Sequence, residues 1–229
     1  MSLLPVYSPT YDSEVPFPSI SGLRVHLRAD LGITKDGSDK VATWADQSGN
    51  GLDFTQPDYA DWKPVWLATS GTGQPTVRFD GSNDNLNTGT ISSQAGPHYF
   101  FVVFKQLSWV DNQYLYVNNT TGVVLEQNTT SAQVSQYNGT NPLAADLTNY
   151  WLHRNFLNGS ASSAALNDAS PNVVTALTQA CTSMSLGGRE NGTSSANVEI
   201  AEFVWYDAEV TGTDLSNMLA YFSSRYGIF

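Results

Sequence analysis

The 229-residue chain contains one cysteine, Cys181, and three histidines, so it has no internal disulfide and no zinc-ligand cluster at the usual spacings. The neighbours Ala180 and Met184 favour a small apolar core residue over a reactive thiol, because no base lies beside Cys181 in sequence. The sequence therefore predicts neither a metal site built on cysteine nor a cysteine nucleophile.

Basic residues are also scarce. Ten Lys and Arg stand against 21 Asp and Glu, which gives a net charge of −11. An acidic surface of this kind does not bind the phosphate backbone of a nucleic acid, and an anionic membrane would repel it. No apolar run reaches the ~18 residues of a membrane span. We therefore expect neither a nucleic-acid partner nor membrane insertion.

Motifs for catalysis are missing as well. The sequence holds no G-x-S-x-G elbow and no phosphate-binding loop. Retaining glycosidases need two carboxyls about 5–5.5 Å apart. Glu199 and Glu202 are three residues apart, and on a regular strand they would point to opposite faces. We predict no catalytic residues and no enzyme activity, with Glu202 a partly buried acid paired to an arginine: Arg78, Arg154 or Arg189.

What the sequence does contain is a series of short apolar segments separated by turn residues. Val77 and Phe79 alternate with polar neighbours before Asp80-Gly81, while Tyr99–Phe104 is a continuous apolar run typical of a strand covered on both faces. This rhythm predicts an all-β, antiparallel sandwich. One amphipathic helix is predicted near the end, with an apolar stripe of Leu215, Met218, Leu219, Phe222 and Tyr226.

Three blocks carry a family resemblance: LRVHLRAD at 23–30, WADQSGNG at 44–51 and VRFDGSNDNL at 77–86. With the IAEFVWYD segment at 200–207, they resemble the concanavalin A-like lectin/glucanase superfamily, and within it the laminin-G-like jelly-roll domains of phage and bacterial surface proteins. The resemblance covers about residues 22–228 and implies a jelly-roll β-sandwich. It is much less specific for a function.

Residues 1–21 are predicted to be an extended arm that precedes a lectin-like domain at 22–229, because four prolines exclude a helix or central strand. The arm either lies on its own domain or docks on another subunit or protein through Tyr7, Tyr11 and Phe17. The second interpretation implies an oligomeric assembly.

Two kinds of ligand site are candidates. Tyr59, Trp62 and Trp109 lie in predicted loops, where aromatic rings stack on sugars, although such residues also serve as core. Asp80, Asn83 and Asp84 offer oxygen ligands for calcium, as in laminin-G relatives, but any tight turn selects the same residues. We favour the turn interpretation and predict no metal or other cofactor.

The function expected from these observations is a non-enzymatic structural protein on a virion surface. The N-terminus has no apolar run long enough for a secretory signal, which favours a protein that reaches the exterior by assembly. It would decorate a capsid or form a fibre, contact other virion proteins through its arm, and bind cell-surface glycans weakly for host attachment. The alternative is an extracellular, secreted carbohydrate-binding module of a larger cell-surface protein or glycoside hydrolase.

Overall fold

The apolar run predicted as a central strand, His98–Gln106, pairs on both sides, with Trp151–Leu157 and with Asn197–Tyr206. Its alternate residues enter two separate cores. The first core takes Phe100, Val102 and Phe104, and the second takes Tyr99, Phe101 and Val103. A strand with an apolar layer on each face needs no polar alternation, which explains its continuous apolar sequence.

The computed structural model describes residues 15–118, 122–127, 133–136, 140–174 and 180–229. In these ranges the strands are β1 (Leu23–Arg28), β2 (Ile33–Lys35), β3 (Val41–Trp44), β4 (Phe54–Thr55), β5 (Val65–Leu67), β6 (Thr76–Asp80), β7 (Leu86–Asn87), β8 (His98–Gln106), β9 (Gln113–Asn118), β10 (Gly122–Gln127), β11 (Val134–Gln136), β12 (Thr140–Leu143), β13 (Trp151–Leu157), β14 (Ser162–Leu166), β15 (Asn172–Val174), β16 (Met184–Leu186) and β17 (Asn197–Tyr206). One α-helix, α1 (Gly212–Tyr226), follows them.

The strands form two antiparallel sheets. Sheet A has the order β15-β14-β13-β8-β17-β6-β5, and β1 pairs with the second half of β17 beyond the part that pairs with β6. Sheet B has the order β12-β11-β10-β9-β16-β7-β4-β3-β2. The inner core lies between the two sheets and contains Trp44. The predicted antiparallel β-sandwich is confirmed.

The closing helix covers the opposite face of sheet A, which we call the helix face. It begins after Thr211 and ends at Gly227, whose left-handed backbone (φ 60°) suits glycine. Its buried residues are Met218, Tyr221, Phe222, Arg225 and Tyr226. The predicted stripe is therefore confirmed at its centre, while Leu215 and Leu219 are only half-buried at its edge.

The segment before β1 also lies on the helix face. Val15, Phe17 and Ile20 pack against the core beneath α1. Phe17 stacks on His26, with ring centroids 3.8 Å apart, and meets Tyr221 edge-on at 5.2 Å. This ring is thus engaged within its own domain, whereas Tyr7 and Tyr11 lie outside the described residues. The division into an arm and a domain stays a prediction.

Candidate functional site

Two of the three aromatic residues predicted to contact a ligand are in contact with each other. Tyr59 precedes a single turn of 3₁₀-helix, Ala60–Trp62, and its ring stacks on Trp62 with centroids 4.1 Å apart. Tyr59 is 52% exposed, so one face of its ring meets solvent. The Trp62 ring packs on Gly192, where a Cβ would lie 3.0 Å from the indole. We call Tyr59 and Trp62 the aromatic platform.

Trp109 does not join this platform. It is half-buried in the segment after β8, and within the described part of the chain it makes no ring contact with Tyr59 or Trp62. Its indole N–H is buried and has no hydrogen-bond partner among the described residues. The structure therefore places Trp109 as a partly packed loop residue.

The residues considered for calcium make the hydrogen bonds of a turn. The Asp80 carboxylate accepts the Ser82 N–H at 2.8 Å, and the Asp84 carboxylate accepts the Asp80 N–H at 3.0 Å. Burial, and then the charge of Asp80, raises the pKa of Asp84 to about 6. The Asn83 carbonyl accepts the Asn85 amide at 3.1 Å. Among the described residues, no group of three or more His, Cys, Asp or Glu side chains is arranged to hold a metal ion.

A cleft of about 360 Å³ opens on the helix face of sheet A, beside the end of α1. Three segments wall it: the loop after β5, the segment that leads into β13, and the residues that follow α1. Its lining is mostly polar and aromatic: Gly71, Thr72, Lys105, Thr148, Asn149, Tyr150, Trp151, Asn167, Tyr226, Gly227 and Ile228. Concave sites with an apolar surface and a few convergent polar groups are where small ligands usually bind.

Tyr150 forms the buried part of this cleft and is fixed from two sides. Its hydroxyl donates to the Glu199 carboxylate, and a Cβ at Gly71 would lie 3.1 Å from its ring. Burial, and then the hydrogen bond to Glu199, raises the pKa of Tyr150 to about 12. The Lys105 ammonium lies 5.7 Å from the centre of the same ring. The ring therefore offers a rigid apolar surface beside a cation.

The polar wall of the cleft is held by Asp146. This carboxylate accepts the N–H groups of Thr148 and Asn149 at 2.8 and 2.9 Å, and also the Asn149 amide at 2.9 Å. These bonds, led by the Asn149 N–H, lower the pKa of Asp146 to about 2. Across the cleft, the side-chain oxygen of Asn167 accepts the Leu152 N–H at 3.0 Å. The Asn167 amide nitrogen has no such bond to the described residues and remains a donor.

The positions of Glu199 and Glu202 differ from those on which we based the expectation of no catalysis. A β-bulge interrupts the pairing of β17 with β8 between Ile200 and Glu202. The extra residue puts both Glu199 and Glu202 on the helix face of sheet A, where Glu199 contacts Tyr150 and Glu202 contacts Tyr221 of α1. The assumption of opposite faces was wrong. Glu202 is fully buried beneath α1, and Glu199 does not line the cleft but holds the Tyr150 hydroxyl behind it.

Sequence reasoning missed the cleft residues. One signal was present: Lys105 continues the alternation of Tyr99, Phe101 and Val103, so it falls on the helix face at the end of an apolar strand. The three walls come from segments far apart in the chain, and no local pattern indicates that they meet.

Comparison with known proteins identifies the fold of this chain but no family. No protein-family model matches the sequence, and no curated protein matches it. Solved structures do match: a Trypanosoma rangeli sialidase in complex with sialic acid superposes with a TM-score of 0.59 at 14% identity, over 90% of this chain and 33% of that one. An arabinofuranosidase complexed with arabinofuranosyl-α-1,2-xylobiose has a TM-score of 0.59 at 13% identity, over 82% of this chain and 51% of its own.

A third match is a mutant GH54 α-L-arabinofuranosidase, with a TM-score of 0.57 at 14% identity, over 83% of this chain and 52% of that one. The chain thus spans about a third of the sialidases and half of the arabinofuranosidases. At these identities the likeness establishes the fold, while the lectin-like family read from the sequence stays a prediction.

These neighbours contradict the expected function. The interpretation as a non-enzymatic virion protein is wrong, because the three solved structures described above, which share this fold, are glycoside hydrolases. They favour the alternative, a carbohydrate-binding module of a larger cell-surface protein or glycoside hydrolase, over the virion interpretation. No helix in the described ranges is long and apolar enough to cross a membrane.

Proposed function

We propose that this chain is a secreted carbohydrate-binding β-sandwich domain of a larger protein, and that the cleft beside α1 holds the sugar. The observation that carries the proposal is the composition of the cleft, in which a fixed tyrosine ring lies among amide and hydroxyl groups. A sugar presents C–H faces and hydroxyls together, so it needs an apolar ring and several donors and acceptors at once.

The cleft is also preorganised. Asp146 fixes the backbone of the Thr148–Asn149 segment, and Glu199 fixes the Tyr150 ring, so little conformational entropy remains to be lost on binding. The neighbours' association with sialic acid and with an arabinofuranosyl-xylobiose supports a glycan as the ligand.

Plugging the cleft tests its role. Thr148 is exposed at the cleft wall, so Thr148→Trp should fill the space while leaving the cores intact. We expect at least about tenfold weaker binding to whichever member of a panel binds the wild type, a loss of about 1.4 kcal/mol. The panel would hold arabinofuranosyl-xylobiose, xylo-oligosaccharides and sialylated oligosaccharides, and calorimetry would measure affinity.

Two further variants make the result specific. Thr34→Trp changes another exposed threonine, on β2 in sheet B, and it should bind as the wild type does. Trp62→Ala removes half of the aromatic platform, and it should also retain binding. Loss of binding in Trp62→Ala but not in Thr148→Trp would contradict the cleft, and absence of binding by the wild type across the panel would contradict the function. Product analysis of the same mixtures would show whether a bound glycan is also cleaved.

A further inference from the structure

Lys105 is the one charged side chain among the described residues that line the cleft. It lies on β8 on the helix face, half-buried, with its ammonium 5.7 Å from the centre of the Tyr150 ring. Within the described ranges no carboxylate lies within 4 Å of this ammonium. Five other Lys or Arg side chains there form ion pairs with aspartates: Arg24, Arg28, Lys35, Lys40 and Arg225.

The nearby carboxylates of Glu199 and Asp146 contact other groups. Glu199 is opposite Lys105 in the β8–β17 register, but it is also opposite Arg78 of β6, and it accepts the Tyr150 hydroxyl. Asp146 accepts hydrogen bonds from Thr148 and Asn149 through both of its oxygens. The Lys105 ammonium therefore faces the cleft without a neutralising partner in direct contact.

A half-buried ammonium without a partner has lost part of its hydration and gains from an incoming anion. The other polar groups of the cleft are neutral: the hydroxyls of Thr72 and Thr148 and the amides of Asn149 and Asn167. They suit sugar hydroxyls, which leaves the cation as the feature that distinguishes one sugar from another.

Resting on the proposed function, we infer that the cleft binds a carboxylate-bearing sugar, a hexuronate or a sialate, with its carboxylate paired to Lys105. The chain carries a net charge of −11, so its overall field repels such a ligand. Binding must then depend on the direct ion pair between Lys105 and the ligand carboxylate. Its attraction at hydrogen-bonding distance exceeds the repulsion from more distant acidic residues, because salt screens charges more than ~8 Å apart.

Matched pairs of ligands separate charge from shape. Oligogalacturonate and sialyl-lactose would each be compared with its own carboxyl-reduced form, which keeps the ring and the hydroxyls but loses the anion. We expect at least one acidic ligand to bind the wild type about tenfold more tightly than its reduced form, as a charge-assisted hydrogen bond implies. The member that binds identifies the source of the carboxylate.

Variants of Lys105 then test whether this residue causes the preference for the acidic ligand. Lys105→Gln should bring the acidic and reduced ligands to equal affinity, and Lys105→Arg should keep the preference. Lys35→Gln makes the same change of net charge on β2 and should leave the preference unchanged. Equal binding of acidic and reduced ligands by the wild type would overturn the inference and leave the carbohydrate-binding proposal standing. A preference that survives in Lys105→Gln would overturn it too, while failure of every acidic and neutral glycan to bind would overturn both.

Discussion

Replacing Glu202 by alanine should lower the free energy of unfolding by about 3–5 kcal/mol, because the change removes one of the two carboxylates paired with the buried Arg225 and leaves buried hydroxyl donors without their acceptor. Glu202 is fully buried between sheet A and α1. Its carboxylate lies 2.7 Å from His26 Nε2 and 3.6 Å from Arg225 Nε, and it accepts the hydroxyls of Tyr221 at 3.0 Å and Tyr226 at 2.6 Å. The measurement is urea unfolding followed by tryptophan fluorescence.

Glu202→Gln is the matched control. Its side-chain oxygen can still accept a tyrosine hydroxyl at nearly the same volume, so we expect a smaller loss than for alanine. A Glu202→Ala midpoint that coincides with the wild type would show that this network contributes nothing to holding α1 on the sheet.

Glu202 also shows how far the sequence leads. An acid in an apolar strand was recognisable, and its pairing with an arginine is confirmed, although Glu202 is fully and not partly buried. The partner is Arg225, however, and not Arg78, Arg154 or Arg189. That choice depends on how α1 docks, and on a bulge that moves Glu202 to the helix face. Neither the docking angle nor a bulge has a signature in the alternation of a single strand.

The candidate sites also differ in how far the sequence predicts them. Tyr59 and Trp62 are three residues apart around one turn, so local geometry brings their rings together, while their role as ligand contacts stays a prediction. The cleft joins Lys105 and Tyr150 with a loop near residue 71 and with the residues after α1. Contacts across such separations are fixed by packing of the whole sandwich, which composition and periodicity do not encode locally.

Acidification from pH 7 to pH 5 should destabilise the wild type relative to His153→Gln by about 2 kcal/mol. His153 is fully buried in sheet A, where Nδ1 shares a 3.0 Å hydrogen bond with the Tyr116 hydroxyl. Its Nε2 is buried without a partner among the described residues. Burial, and then the charge of Arg154, lowers the pKa of His153 to about 3.

The sign follows from proton counting. Between pH 6.5 and about 3 the unfolded chain holds a proton on this histidine and the folded chain does not, so stability falls as the pH falls. Asp84, whose pKa is raised to about 6, changes stability in the opposite direction over part of this range. The difference between wild type and His153→Gln therefore isolates the histidine, since Asp84 is common to both. Urea unfolding at half-unit intervals between pH 5 and 7 measures it, and parallel curves for the two proteins would mean that His153 takes up its proton in the folded state.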